Sequence, residues 1–295
     1  MIFLTGSTGF VGTFFLNYFK SDIVRISSRG QDYNIDVAEV VIHLAGKAHD
    51  LKKISTPDEY YQVNTELTKR IFDAFLDSEA KVLIILSSVK AVADEVYGKL
   101  TEEYIANPKT HYGKSKLLAE QYILSKEIPK GKRVYILRPC MIHGPGNKGN
   151  LNLLYKLVSK GIPWPLGAFD NKRSFCSIEN LMFIIKELIA RDDIPSGLYN
   201  VADDEALSTN DVISILSESQ NRKLKIWNIS QGLIKSLAKV GNFLLLPLTT
   251  ERLQKLTESY VVSNQKIKTA IGKDLPVSAK DGLLKTFNSF HANAQ

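Results

Sequence analysis

The feature that most constrains this chain lies in its first eighteen residues. Ile2 to Thr5 is an apolar run of strand length, Gly6, Gly9 and Gly12 follow at equal spacing, and Val11, Phe14, Phe15 and Tyr18 recur at helical intervals. A strand, a glycine turn and an amphipathic helix in that order open a βαβ unit, which points to a parallel sheet with crossover helices. Further strand candidates are Ile23 to Ile26, Val40 to Ala45, Val82 to Leu86 and Val134 to Leu137, all rich in β-branched residues. Between them, Val63, Leu67, Ile71, Ala74 and Phe75 mark one helix and Tyr112 to Leu124 another. The expected class is α/β with a doubly wound parallel sheet. Only about a dozen residues separate the second strand from Val40, too few for a crossover helix plus another strand, so the sheet is expected to be trimmed there.

After Arg138-Pro139 the texture changes to a loop-rich stretch punctuated by Gly144, Pro145, Gly146, Gly149, Gly161, Pro163, Pro165 and Gly167. Ser208 and Asp211 have capping-box spacing, and the chain beyond them reads as mostly helical. With 295 residues there is room for one large or two modest domains. The division expected is 1–142 with 170–195 as one unit and 143–169 with 196–295 as a smaller one. Leu237 to Leu248, the most apolar stretch, is interrupted by Lys239, Asn242 and Pro247, so no membrane span is expected. The start Met1-Ile2-Phe3-Leu4 has no basic leader, and a cytoplasmic location is expected. Cys140 and Cys176 stand far apart without CxxC or histidine neighbours, which reads as two core residues, with no disulfide framework and no metal site. The net charge of +7 comes from dispersed lysines and reads as a solvated surface, with no nucleic-acid partner.

A turn without Cβ atoms brings backbone N–H groups and a helix N-terminus up to a pyrophosphate, so Gly6, Gly9 and Gly12 point to dinucleotide binding. Selection between dinucleotides falls at the end of the second strand, where Ser27, Ser28 and Arg29 stand instead of an acid. A hydroxyl and a guanidinium can bind a 2′-phosphate, so NADP(H) is preferred; NAD(H) stays possible if Asp32 or Asp36 serves the ribose. Tyr112 and Lys116 lie four residues apart at a helix start and share a face. An ammonium beside a phenol is expected to draw its pKa down from about 10, toward the working range of a general acid or base. Ser88, at the carboxyl end of a strand, is placed to orient a carbonyl or alcohol. Neighbouring Ser87 is expected to satisfy backbone only.

Together these motifs resemble the extended short-chain dehydrogenase/reductase family, more narrowly its NAD-dependent epimerase/dehydratase group. TGSTGFVG (5–12), VVIHLAG (40–46), Asn64 in QVNTELT, LSSV (86–89), YGKSK (112–116) and RPCMIHGPG (138–146) occur in family order. The resemblance implies a Rossmann-type cofactor domain, a smaller and mostly helical C-terminal substrate domain, and catalysis by Ser88, Tyr112 and Lys116. It implies that Gly6, Gly9, Phe10, Val11 and Gly12 cradle the pyrophosphate. Leu44, Ala45 and Gly46 would line the cofactor path, Asp36 would meet adenine, Asn64 would stand near the cofactor, and Lys116 would grip the nicotinamide ribose. Val89 and Lys90 occupy the positions of the acidic pair in the 4,6-dehydratases, which disfavours dehydration.

The segment 144–175 is similar to that of bacterial UDP-N-acetylquinovosamine and N-acetylfucosamine 4-ketoreductases. This implies a UDP-sugar substrate whose diphosphate meets Asn150 and Arg173, with Trp164 and Pro165 lining a base pocket or simply packing. The expected reaction is reduction of a UDP-4-keto-6-deoxy-N-acetylhexosamine at C4 for surface-polysaccharide synthesis. The alternatives are a 4-epimerase of UDP-hexoses and, further off, a non-enzymatic nucleotide sensor. A homodimer through the Asn64 and Tyr112 helices is also a family expectation. If Arg29 reads the 2′-phosphate, Arg29→Glu raises the Kd for NADPH by at least tenfold more than that for NADH in fluorescence titrations, the loss of a charge-assisted contact being worth roughly that factor or more.

Overall fold

The computed structural model describes residues 1–20, 22–27, 35, 37–48, 56–147, 149–244 and 248–292. Its strands are β1 (Ile2–Thr5), β2 (Ile23–Ile26), β3 (Val40–His43), β4 (Val82–Leu86), β5 (Lys99–Leu100), β6 (Arg133–Pro139), β7 (Met141–His143), β8 (Phe175–Ser177), β9 (Gly197–Val201) and β10 (Val261–Val262). The helices are α1 (Phe10–Tyr18), α2 (Pro57–Tyr60), α3 (Leu67–Asp77), α4 (His111–Leu124), α5 (Asn150–Ser159), α6 (Ile178–Ala190), α7 (Thr209–Ser219), α8 (Gln231–Phe243), α9 (Thr250–Thr257), α10 (Gln265–Ile271) and α11 (Ala279–Ala292). A π-helical turn, Tyr61–Glu66, joins α2 to α3.

The central sheet has the order β2-β1-β3-β4-β6-β9, parallel throughout. Side chains alternate between two covered faces, which is why the inner strands read as unbroken apolar runs. Phe3, Val41, Leu83 and Ile136 pack with Phe72 and Phe75 of α3 on one side. Leu4, Ile42, Ile84 and Tyr135 pack with Phe15 of α1 and Ile184 of α6 on the other. A third core, around Trp164, Ile213, Leu216 and Phe287, belongs to the C-terminal helices. Trp164 is buried there and donates its Nε1–H to Asn210 at 2.9 Å, so its role is packing.

The five strands expected from the sequence are present, and β2 forms the edge of the sheet among the described residues. The sixth, β9, was not expected. Gly197-Leu198-Tyr199-Asn200-Val201 has no clean alternation, and its strand character comes from pairing with β6. The sheet thus claims residues 197–201, which the sequence division assigned to the smaller unit, and Ile267 and Ile271 of α10 also pack into the sheet's core. The capping box is formed as read: Ser208 Oγ accepts from the Asp211 N–H while Asp211 accepts from the Ser208 N–H. Cys140 and Cys176 are buried and free, and burial pushes both thiols well above their ordinary pKa.

One buried ion pair ties α4 to the sheet beneath the carboxyl edge. Arg138 at the end of β6 grips Glu120 of α4 through Nε (2.9 Å) and Nη2 (2.5 Å). Ser87 donates to the same carboxylate at 2.5 Å, so its hydroxyl serves a charge and not the backbone expected for it. Removing one partner strands the other charge out of water. Glu120→Ala is expected to cost about 3–5 kcal/mol of unfolding free energy, read from urea denaturation.

Candidate active site

The glycine turn closes against the strand beside it. Gly6 has φ +72°, and a Cβ there would stand 2.5 Å from the Ala45 nitrogen and 2.6 Å from the Leu44 carbonyl carbon. A Cβ on Gly12 would stand 2.1 Å from the Gly6 oxygen. Both glycines are therefore required by backbone approach, Gly6 to the β3 loop and Gly12 to the turn itself. Gly9 is different: a Cβ would find only the Gly6 oxygen, at 3.4 Å, and the residue faces solvent at the mouth of α1. The space above Gly9 is a cradle at a helix N-terminus, flanked by half-buried Phe10 and Val11, and it fits a dinucleotide's pyrophosphate. The loop after β7 borders it, since a Cβ on Gly144 would lie 3.4 Å from the Phe10 ring.

A directed chain of buried hydrogen bonds holds the neighbouring loop. Thr68 spends its one hydroxyl proton on the Asn64 carbonyl at 2.8 Å, so it can only accept from His43 Nε2, 3.0 Å away. His43 is thereby the Nε2–H tautomer, and its Nδ1 accepts from Thr5 Oγ1 at 2.7 Å. Thr5 in turn accepts from the Ala45 N–H at 3.3 Å. Burial first, then the nearby Lys116 charge, lowers His43 from its ordinary 6.5 to about 3, so the ring stays neutral. Asn64, fully buried in the π-helical turn, accepts from the Lys47 N–H (2.8 Å) and donates to the Lys47 carbonyl (3.1 Å) and Ser115 Oγ (3.0 Å). It clamps the loop containing Leu44, Ala45 and Gly46 against α4. The sequence reading placed Asn64 near the cofactor but passed over His43, although VVIHLAG puts an imidazole in an otherwise apolar strand.

Ser88, Tyr112 and Lys116 meet at the carboxyl edge of β4. Thr110 caps α4 by accepting from the Gly113 N–H at 3.1 Å, which starts the helix so that Tyr112 and Lys116 share a face. Close packing of that first turn against the Lys90 carbonyl demands Gly113, whose Cβ would stand 2.3 Å from that oxygen. Tyr112 is hydrogen-bonded to Ser88, with the Tyr60 ring edge-on at 6.3 Å. Lys116 is buried and donates to the Leu86 carbonyl at 2.9 Å. A Cβ on Gly46 would come within 3.0 Å of its Nζ and 3.2 Å of Asn64 Oδ1, so the loop after β3 reaches Lys116.

The protonation of this group corrects the sequence expectation. Burial pushes the Tyr112 phenol above its ordinary value, and the Ser88 hydrogen bond offsets this only in part. The ammonium expected to acidify the phenol is engaged with Leu86, and burial lowers Lys116 itself to about 8, with Glu120 working the other way. Tyr112 thus stands as a neutral proton donor hydrogen-bonded to a serine.

Arg173 lies between Leu207 and Tyr260, and its Nη2 donates to Glu258 at 2.8 Å while its Nε is buried with no hydrogen-bond partner. Lys90, two residues past Ser88, belongs to the same cluster, with Nζ 4.2 Å above the Tyr260 ring and donating to the Asp94 carbonyl. Arg173 and the turn that carries Ser88 are therefore joined through Tyr260, whose hydroxyl shares its one proton between the Ala93 and Val89 carbonyls at 2.7 and 3.2 Å. Asn150 opens α5. Its side chain, together with Ser28, Arg29 and Asp36, lies outside the described residues.

The profile of the NAD dependent epimerase/dehydratase family matches residues 2–202. The UDP-glucose 4-epimerase of Vibrio cholerae is 30% identical, over 98% of this chain and 95% of its own. An Escherichia coli O157:H7 enzyme, N-acetyl-alpha-D-glucosaminyl-diphospho-ditrans,octacis-undecaprenol 4-epimerase, is 27% identical over 90% of this chain and 84% of its own. RMD from Pseudomonas aeruginosa, solved with NADPH, shares the fold with a TM-score of 0.74 at 20% identity, covering 99% of both chains. The chain belongs to the NAD dependent epimerase/dehydratase family. It is an NAD(P)-dependent enzyme of the extended short-chain dehydrogenase/reductase type, with a Rossmann-like sheet.

His43 links this site to stability. Its folded pKa lies below the ordinary 6.5, so the unfolded chain binds a proton that the native ring refuses. The stability this group supports is complete above pH 6.5 and is lost as pH falls toward about 3. Urea denaturation is expected to show a loss of about 2 kcal/mol from this residue between pH 7 and pH 5. In His43→Gln the pH 7 value is lower and the fall between the two pH values is shallower.

Proposed function

We propose that the protein reduces the C4 ketone of a UDP-linked 4-keto-6-deoxy-N-acetylhexosamine, with NADPH as the preferred cofactor. One observation carries this reading: a neutral, half-buried phenol hydrogen-bonded to Ser88, with Lys116 alongside and a glycine cradle next to it. When bound, the reduced nicotinamide supplies the hydride that C4 receives. Ser88 and Tyr112 converge to hold the carbonyl oxygen. Burial that raises the phenol keeps its proton in place until negative charge develops on that oxygen, and Tyr112 then gives it up. Lys116, with a pKa near about 8, stabilises the phenolate left behind and can return a proton to it. Gly6, Gly9 and Gly12 hold the pyrophosphate, Asn64 keeps the 44–47 loop in register, and Arg173 takes the sugar's diphosphate with its planar fork.

A second reading is favoured by the full-length similarity to a UDP-glucose 4-epimerase. The same three residues would then take a proton from the C4 hydroxyl and give it back on the other face of the sugar, with NAD retained. The E. coli relative is named for a sugar linked through a diphosphate to undecaprenol, so the portion it shares with both readings is a sugar diphosphate.

Two incubations separate the readings. The 4-keto sugar nucleotide should consume NADPH stoichiometrically under the first; UDP-N-acetylglucosamine should yield its C4 epimer without added nucleotide under the second. Tyr112→Phe is expected to lower kcat by roughly 10²–10⁴ with the NADPH Kd unchanged. Full activity in that variant would remove Tyr112 from the chemistry.

A further inference from the structure

Residues 221–244 differ from the rest of the surface in charge. They contain Arg222, Lys223, Lys225, Lys235 and Lys239 and no aspartate or glutamate, so much of what makes the chain +7 stands in one short acid-free stretch. None of these five cations makes an ion pair among the described residues. Charge that reads as dispersed along the whole sequence is concentrated here.

The same stretch exposes large apolar side chains. On α8 the buried face is made only by Ile234, Ala238 and Gly241. Leu233, Leu237, Val240 and Leu244 fall at i, i+4, i+7 and i+11, a second apolar stripe, and each is at least 50% exposed. Phe243 is 89% exposed and Trp227 50%. Lys235 and Lys239 lie one turn apart on the rest of the outward side. A contiguous exposed apolar stripe of this kind marks an interaction site. The segment is anchored: the Trp164 N–H donates to the Lys225 carbonyl at 2.9 Å and the Gly167 N–H to the Trp227 carbonyl at 3.1 Å.

The charge decides what fits the stripe. A second copy meeting it about a two-fold axis would set five cations against five, with no acid within the stretch to pair them. An anionic bilayer matches both properties, taking the leucines, Phe243 and Trp227 into the headgroup boundary and the lysines onto lipid phosphates. No helix among the described residues is long and apolar enough to cross a membrane, so the contact is peripheral. We propose that the α8 face docks this protein reversibly on an anionic lipid bilayer. The proposal does not depend on which sugar diphosphate is turned over.

Flotation of the full chain with phosphatidylcholine vesicles, with and without phosphatidylglycerol, tests it. The wild type is expected to float with the anionic vesicles at least roughly tenfold more than with the neutral ones, and to be released at high salt. Two exposed-face variants, Leu237→Ser with Phe243→Ser and Lys235→Gln with Lys239→Gln, should each lower that binding by roughly tenfold. Their thermal unfolding should match the wild type. Equal flotation with both vesicle types, or anionic binding untouched by either variant, overturns the proposal. A concentration-dependent dimer in sedimentation that the Leu237→Ser, Phe243→Ser variant dissolves overturns it too, and assigns the face to a second copy.

Discussion

A single buried polar chain holds the site in shape. It runs from Thr5 through the His43 ring to Thr68, on to Asn64, and from there through Ser115 to the Tyr112 carbonyl. Each link has one assignable donor, because Thr68 and Ser115 spend their only protons on the Asn64 and Tyr112 carbonyls. Two strands, the π-helical turn and α4 are therefore fixed to one another by buried groups. Such a network is worth keeping only when every member is satisfied, and here the imidazole is satisfied only while neutral.

The chemistry follows from what this packing excludes. Lys116 is surrounded by His43, Asn64, Gly46 and the Leu86 carbonyl, and desolvation brings an ordinarily strong base to about 8. The same exclusion of water raises the Tyr112 phenol. The two groups move apart in acidity, Lys116 below its ordinary value and Tyr112 above its own, so the ammonium is the better acid of the two and can return a proton to a phenolate. Glu120 lies one helical turn beyond Lys116 and is neutralised by Arg138, so a carboxylate close to the Lys116 ammonium is held to the sheet.

The C-terminal part is organised differently, by backbone bridges between distant segments. Arg173 pairs with Leu207 on one side and Tyr260 on the other, and Tyr260 reaches the turn just after Ser88. Arg173 is thereby placed in a fixed relation to Ser88, although the residues are far apart in the chain. The charged outward face of α8 belongs to this C-terminal part.

Much of this was legible in the sequence wherever the determinant is local. The strand, glycine turn and helix at 2–18, the four-residue step from Tyr112 to Lys116, and the Ser208 and Asp211 cap are set by backbone periodicity within a few residues. The sequence by itself determined the α/β class, the glycine turn that opens it and the family. The tertiary structure alone decided that 197–201 is a strand, because β6 pairs with it, and that Ser87 serves a buried carboxylate, because Arg138 brings Glu120 beneath it. It also decided that Tyr112 is a neutral donor and His43 a neutral link. Those outcomes depend on how much water is removed around a group and on which distant charges close in, and neither is written in the spacing of residues along a chain.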